Sequence, residues 1–215
     1  MKKYAVLSFD DGPNLGGDTT MSEMLDVLAS YSLRASFFLI GNKICDENIP
    51  VIKRAVRMGC DIENHSWFHL HMDSLSAEEI REEYARCDKA IFDVTGRQPE
   101  FFRPPYISVS QTLFDCIDQP FICGKDCRDW EDSVSVEERL GLLLDAAEDG
   151  VIFLLHVNEG NSKTVELVRR LVPLLLEQGY EFLTLPQLFD LRKVQKKNDG
   201  NLWSVVRQAR LREAN

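Results

Sequence analysis

Short apolar runs of β type recur along this chain about every thirty residues, and most of the gaps between them carry a helical pattern. The runs are YAVLSF (4–9), ASFFLI (35–40), CDIEN (60–64), EFFR (100–103), PFICG (120–124), VIFLLH (151–156) and EFLTL (181–185). Between the first two, Met21, Met24, Leu25 and Leu28 repeat at the spacing of one buried helix face. Pro50 opens a second helix and Gly59 closes it. Ser76 and Glu79 form a capping box ahead of the face Ile80, Tyr84, Cys87, Ile91, Val94; Ser135 and Glu138 repeat that signature. A further helix ends at Gln178, before Gly179. Repeated strand–helix alternation demands parallel strands joined by right-handed crossovers. No G-x-G-x-x-G follows the first run, so a dinucleotide fold loses its usual support. The expected class is α/β, a (β/α) barrel of about seven parallel strands. One domain is expected over residues 1–190, with a short basic helical tail over 191–215.

Composition narrows the partners. A formal charge of −10 argues against nucleic acid, which is bound through clustered Lys and Arg. The charge is uneven: residues 191–215 hold seven Lys/Arg against two Asp/Glu. In that tail Leu202, Val205, Val206 and Ala209 fall on one helical face, which either docks on the barrel or pairs weakly with a second copy. A monomer or weak homodimer is expected. The six cysteines include no CxxC, and buried free thiols are the expected state. The apolar run in MKKYAVLSF is too short for a signal sequence, and no segment has the length to span a bilayer, so a cytoplasmic location is expected with no membrane partner.

The ionisable residues gather where such a fold builds its sites. Asp10 and Asp11 end the first run, His65 and His69 follow the third, Arg103 ends the fourth, DCRDW follows the fifth and His156 ends the sixth. All lie at C-terminal strand ends, the rim on which barrels assemble catalytic groups. Strand alternation would send Asp10 and Asp11 to opposite faces, but Gly12-Pro13 turns the chain and lets both reach the rim. Two adjacent carboxylates repel unless cations compensate them, and a dication with Arg103 would do so. His65 and His69 are spaced i, i+4, which in a helical turn puts both rings on one side. His71 falls off that side. Ser66 stands where a zinc protease of the HExxH type would need Glu. Two His and one Asp leave coordination positions open, as a catalytic metal requires.

Five stretches in order, SFDDGP, HSWFH, RPPY, DCRDW and LLH, resemble the polysaccharide deacetylases, the NodB-homology or carbohydrate esterase type. The likeness runs from residue 4 to about 190. It implies a deformed (β/α) barrel and metal-dependent removal of N-acetyl, or O-acetyl, groups from an amino-sugar oligo- or polysaccharide. Asp11, His65 and His69 would be the metal ligands and Asp10 the general base. Ser66 would steady the histidine loop and Arg103 would pair with Asp10. Tyr106 would offer its backbone N–H to the oxyanion, and Asp129 would support the network around Arg103 and the catalytic histidine. Trp130 and Leu154 would line the pocket for the acetyl methyl, and His156 would be the general acid. One divalent ion is implied, zinc first among zinc, cobalt, manganese, nickel and iron. The sequence departs from the family at Ser8, where Thr is usual, at Ile107, usually Gly, and at Val157, usually Asp. Two other readings stay open: the same site hydrolysing a small amide, imide or formamide, and a barrel that binds a ligand without catalysis.

Overall fold

The computed structural model describes residues 2–207. Its centre is β1 (Lys3–Gly12), buried over most of its length. Around it lie β2 (Ser36–Leu39), β3 (Asp61–Asn64), β4 (Phe121–Ile122), β5 (Val151–His156), β6 (Tyr180–Phe182) and β7 (Leu202–Trp203). Parallel ladders run in the order β3-β2-β1-β5, and β6 pairs with the start of β1. From β3 to β5 the path continues through single bridges, Asn64 to Phe102, Phe102 to Phe121 and Lys125 to Phe153. The α/β class and parallel order are those expected, and the barrel is deformed: bridges stand where ladders would close it.

Two expected elements differ. The run at 100–103 is not a strand; Phe102 alone bridges both neighbours. Pro104 and Pro105 follow it, and a proline donates nothing to a ladder. The helical tail is also corrected. Leu202–Trp203 form β7, parallel to β4, and Val205 bridges Val151 antiparallel. Val206 is fully buried with Phe189 and Leu188, so this segment belongs to the barrel rather than to an appendage. The Val205/Val206 face therefore does not form a helix, and Ala209 lies outside the described residues.

The helices are α1 (Thr20–Ser30), α2 (Ile49–Arg57), α3 (Ala77–Thr95), α4 (Gln111–Cys116), α5 (Val136–Ala146), α6 (Ser162–Glu177) and α7 (Leu185–Arg192). The α1 face Met21, Met24, Leu25, Leu28 is buried against β1 and β2 as one core with Phe9, Phe37 and Leu39. The Ser76–Glu79 box is complete on α3. At α5 only half of it forms, Ser135 Oγ accepting from the Glu138 N–H. A separate cluster of Val6, Phe38, Phe101, Ile152 and Phe189 fills the barrel interior. Val6 and Ser8 of β1 therefore point inward while Leu7 and Phe9 point outward, which aims Asp10 along the interior axis toward the rim. All six cysteines are free thiols; Cys45 is exposed, unlike the buried state expected of it. No described helix is long and apolar enough to cross a membrane.

Candidate active site

Asp10 and Asp11 reach the rim together through a local break in β1. The β1–β2 register shifts between Phe9 and Gly12, and Asp11 has φ 69°. Carboxylates tolerate the left-handed region better than most side chains. Asp10 stays in register opposite His156 of β5, and Val157 N–H donates to the Asp10 carbonyl at 3.0 Å.

The histidine loop is built differently from the helical turn the spacing suggested. Ser66 (φ 65°) and His69 (φ 56°) are both left-handed, and the loop is held from beneath. Asn64 Oδ1 accepts from Ser66 N–H at 2.8 Å, Ser66 Oγ accepts from His69 N–H at 3.0 Å, and Glu83 Oε2 of α3 accepts from Trp67 and Phe68 N–H. Ser66 steadies this loop, as expected.

This scaffold brings three donors together. Asp11 Oδ1 lies 3.5 Å from His65 Nε2 and 3.3 Å from His69 Nε2. Ligands at about 2.05 Å on a tetrahedral ion stand roughly 3.3 Å apart, so the separations fit one shared cation. Two further observations agree. Asp11 Oδ1 is buried and accepts no hydrogen bond. His65 Nδ1–H donates to the Arg103 carbonyl at 2.7 Å, which leaves the Nε2 lone pair facing Asp11. Burial opposes the charge on Asp11, but the neighbouring histidines overcome it and hold the carboxyl well below its usual range. Burial, with His65 beside it, pushes His69 down to about 4, so it is neutral and free to ligate at pH 7. His71 takes no part in the group.

Beside the metal group stands a buried ion pair. Arg103 is inaccessible to solvent and Asp10 nearly so. Arg103 Nη1 donates to Asp10 Oδ1 at 2.5 Å, and Nη2 donates to Ser8 Oγ at 2.7 Å. Its guanidinium also lies over the Phe38 ring at 4.2 Å. Asp10 Oδ2 is thereby left on the side of His65 Nε2, 3.6 Å away.

Across the cavity, Asp129 grips His156: Oδ1 accepts from Nδ1–H at 2.7 Å and Oδ2 from the His156 backbone N–H at 2.8 Å. Thr164 Oγ1 of α6 donates to the same Oδ2 at 2.8 Å. Burial lowers the pKa of His156, yet Asp129, then Asp10 and Asp11, outweigh it and raise it to about 9. The network expected around Asp129 is thus divided: it serves His156, whereas Arg103 serves Asp10.

A cavity of about 380 Å³ joins these groups, walled by Tyr106, Ile107, Cys123, Trp130 and Leu154. Trp130 stands edge-on to His156 at 5.5 Å, Leu154 is buried at the floor, and the half-exposed Tyr106 borders His69 at 4.6 Å. The structure brings the site residues singled out in the sequence together: all but Ser66, Arg103 and Asp129 line the cavity, and those three hold lining residues from behind. Asn64, Glu83, Thr164 and Cys123 were not foreseen. For Asn64 and Thr164 the available signal is a polar residue beside apolar neighbours, and both are buried; Glu83 and Cys123 carry none.

The polysaccharide deacetylase family profile matches residues 1–119, which is more than half of the chain. This chain belongs to that family. It is 39% identical to a bifunctional xylanase/deacetylase of Pseudobutyrivibrio xylanivorans over 96% of its own length and 34% of that protein's. It is 31% identical to the peptidoglycan-N-acetylglucosamine deacetylase PgdA of Listeria monocytogenes over 87% of its length and 39% of that protein's. The chain therefore spans little more than a third of these relatives. Among solved structures it matches the Xyl-CE4 domain of a multidomain xylanase from the hindgut metagenome of Trinervitermes trinervoides, with TM-score 0.92, 40% identity and coverage of 97% and 100% of the two chains. A family 4 acetyl xylan esterase from Clostridium thermocellum, in complex with a cobalt ion, matches with TM-score 0.90, 34% identity and coverage of 95% and 99%.

Proposed function

We propose that this polysaccharide deacetylase hydrolyses acetyl groups on a sugar polymer with a divalent ion held by Asp11, His65 and His69. The observation that carries the reading is the convergence of two histidine nitrogens on a buried Asp11 oxygen that has no hydrogen-bond partner. A divalent ion bound there supplies Lewis acidity, polarising an acetyl carbonyl and lowering the pKa of water. Zinc suits two imidazoles and a carboxylate, and cobalt is the ion in one structural relative.

The chain's own groups divide the remaining work. Asp10 Oδ1 is committed to Arg103, so Oδ2 is the oxygen that takes the proton from the attacking water. Arg103 fixes that carboxylate in place. The tetrahedral oxyanion forms beside Tyr106, whose backbone N–H donates to it; one such donor is worth roughly 3 kcal/mol. His156 stands on the opposite wall with Nδ1 held by Asp129, so Nε2–H protonates the leaving oxygen or nitrogen. Trp130 and Leu154 supply the apolar wall for the methyl group.

Between ester and amide, the ester reading rests on the acetyl xylan esterase at 34% identity, alongside two relatives named for xylanases at 39% and 40%, against 31% for the peptidoglycan enzyme. Removal of N-acetyl groups from an amino-sugar polymer is the second reading, and it rests on that peptidoglycan relative. The test strips the protein with a chelator, restores zinc or cobalt, and measures acetate released from acetylated xylan and from chitooligosaccharides. Release from xylan above that from chitooligosaccharides is expected. Release from neither, with zinc bound, would refute the assignment.

A further inference from the structure

The histidine left out of the metal group has a partner of its own. The His71 ring lies flat on Tyr106, centroids 3.9 Å apart and planes within 10°. Tyr106 meets His69 edge-on at 4.6 Å, so the three rings form a continuous chain from the metal group to the turn that carries the proposed oxyanion donor.

That turn needs an outside hold. Tyr106 (φ 57°) and Ile107 (φ 54°) are consecutive non-glycine residues in the left-handed region. Such conformations are costly for L-residues, and most costly for a β-branched one such as Ile107. The turn's own hydrogen bonds are local: Ile107 N–H donates to the Pro104 carbonyl at 3.0 Å and Ser108 N–H to that of Pro105 at 3.1 Å. Burial does little for Tyr106, whose residue surface is 59% exposed. An offset or face-to-face ring contact fixes a side chain in orientation as well as position.

We propose that His71 is a positioning residue for the turn 104–108: its imidazole pins the Tyr106 ring and so keeps the strained Tyr106–Ile107 backbone in the pose that presents the Tyr106 N–H. The assignment of that N–H to the oxyanion rests on the function proposed above, whereas the clamp itself does not. Displacements of about an ångström at a reacting centre can cost on the order of a hundredfold in rate.

Two variants test it, His71→Ala, which removes the ring, and His71→Phe, which keeps a flat ring. The measurements are kcat and KM for acetate release, zinc affinity by competition with a chromophoric chelator, and backbone amide order at Tyr106 and Ile107 by NMR relaxation. His71→Ala is expected to loosen both amides and lower kcat about tenfold, with KM, zinc affinity and thermal midpoint unchanged, and His71→Phe to restore amide order and kcat. The clamp is refuted if both amides stay ordered in His71→Ala, if Phe fails to restore them, or if zinc affinity falls in step with kcat, which would place the effect on His69. Should the unmodified protein release no acetate, the functional reading fails alone, because the amide order still decides the clamp.

Discussion

Asp129 holds His156 at two points, the ring Nδ1–H on one carboxylate oxygen and the backbone N–H on the other. The double grip fixes the ring's tautomer and its rotation together, leaving Nε2 toward the cavity. It also sets the pH at which His156 keeps its proton, about 9 against an ordinary 6.5.

His156 must be protonated to act as an acid, so activity is expected to fall on an alkaline limb at or below pH 9, since a bound dication adds a charge that opposes the proton. Asp129→Asn is expected to move that limb down by more than one pH unit and to lower kcat by about tenfold or more. His156→Ala is expected to lower kcat by about a hundredfold or more with zinc affinity retained. The same shift carries a stability effect. With the folded pKa raised, the contribution is fully present below pH 6.5 and is lost as pH rises through about 9. A pH series of kcat/KM and of thermal midpoints for the wild type and Asp129→Asn checks both.

Removing Arg103 would strand a buried carboxylate. Asp10 is 2% exposed and its Oδ1 depends on the guanidinium. Arg103→Met is expected to destabilise the fold by about 3–5 kcal/mol in urea unfolding. Asp10→Asn keeps a hydrogen-bonding oxygen but leaves the buried guanidinium without its counter-charge, so it is expected to cost a comparable amount of stability while abolishing acetate release. A loss below about 1 kcal/mol in either variant would show that the pair is not held as described.

Each ligand should matter to the ion separately. His65→Ala, His69→Ala or Asp11→Ala is expected to weaken zinc binding by at least about a hundredfold, as metal centres respond strongly even to losses outside the coordinating atoms. Chelator competition measures this. Asp11→Asn is the sharper variant, since it preserves shape and removes only charge.

At the far end of the barrel interior, β3 carries Asp61 and Glu63, two carboxylates on one face of the strand. Burial raises Asp61 to about 6, and burial with the Asp61 charge raises Glu63 well above its usual value. The unfolded chain releases these protons near pH 4, while the folded protein retains them longer. Stability from this pair is therefore present below about pH 4 and is lost as pH rises toward 6 and beyond. Asp61→Asn is expected to raise stability at pH 8 by on the order of 1–2 kcal/mol and to leave it unchanged at pH 4. Denaturant midpoints at the two pH values decide it.

Much of this was legible in the sequence where one residue type had one physical use. VIFLLH is too apolar for anything but a buried strand, and β5 is Val151–His156. Ser76 with Glu79 fixed the start of α3 to the residue. Legibility ended where a long-range partner decides the backbone. The i, i+4 spacing of His65 and His69 reads as a helical turn, but Asn64 and Glu83 offer the loop amides a better arrangement than a helix would. Asp11 reaches the rim through a positive φ and a slipped ladder, which no alternation rule foretells. Leu202–Val206 carry helical periodicity, yet β4 and the start of β5 leave unpaired edges for them to fill. Glu83 reads as one more charge on α3, and only the fold reveals it as the acceptor beneath the histidine loop.

The three candidate ligands come from β1 and the loop after β3, whereas the acid and its carboxylate come from β5 and the segment before α5. Their backbones share the β1–β5 ladder, but the ligand side chains and the Asp129–His156 pair have separate hydrogen-bond partners, so inheritance can erode one and spare the other. A descendant that had lost His156 would still load its ion, and metal content alone would make an inert protein look like a working hydrolase.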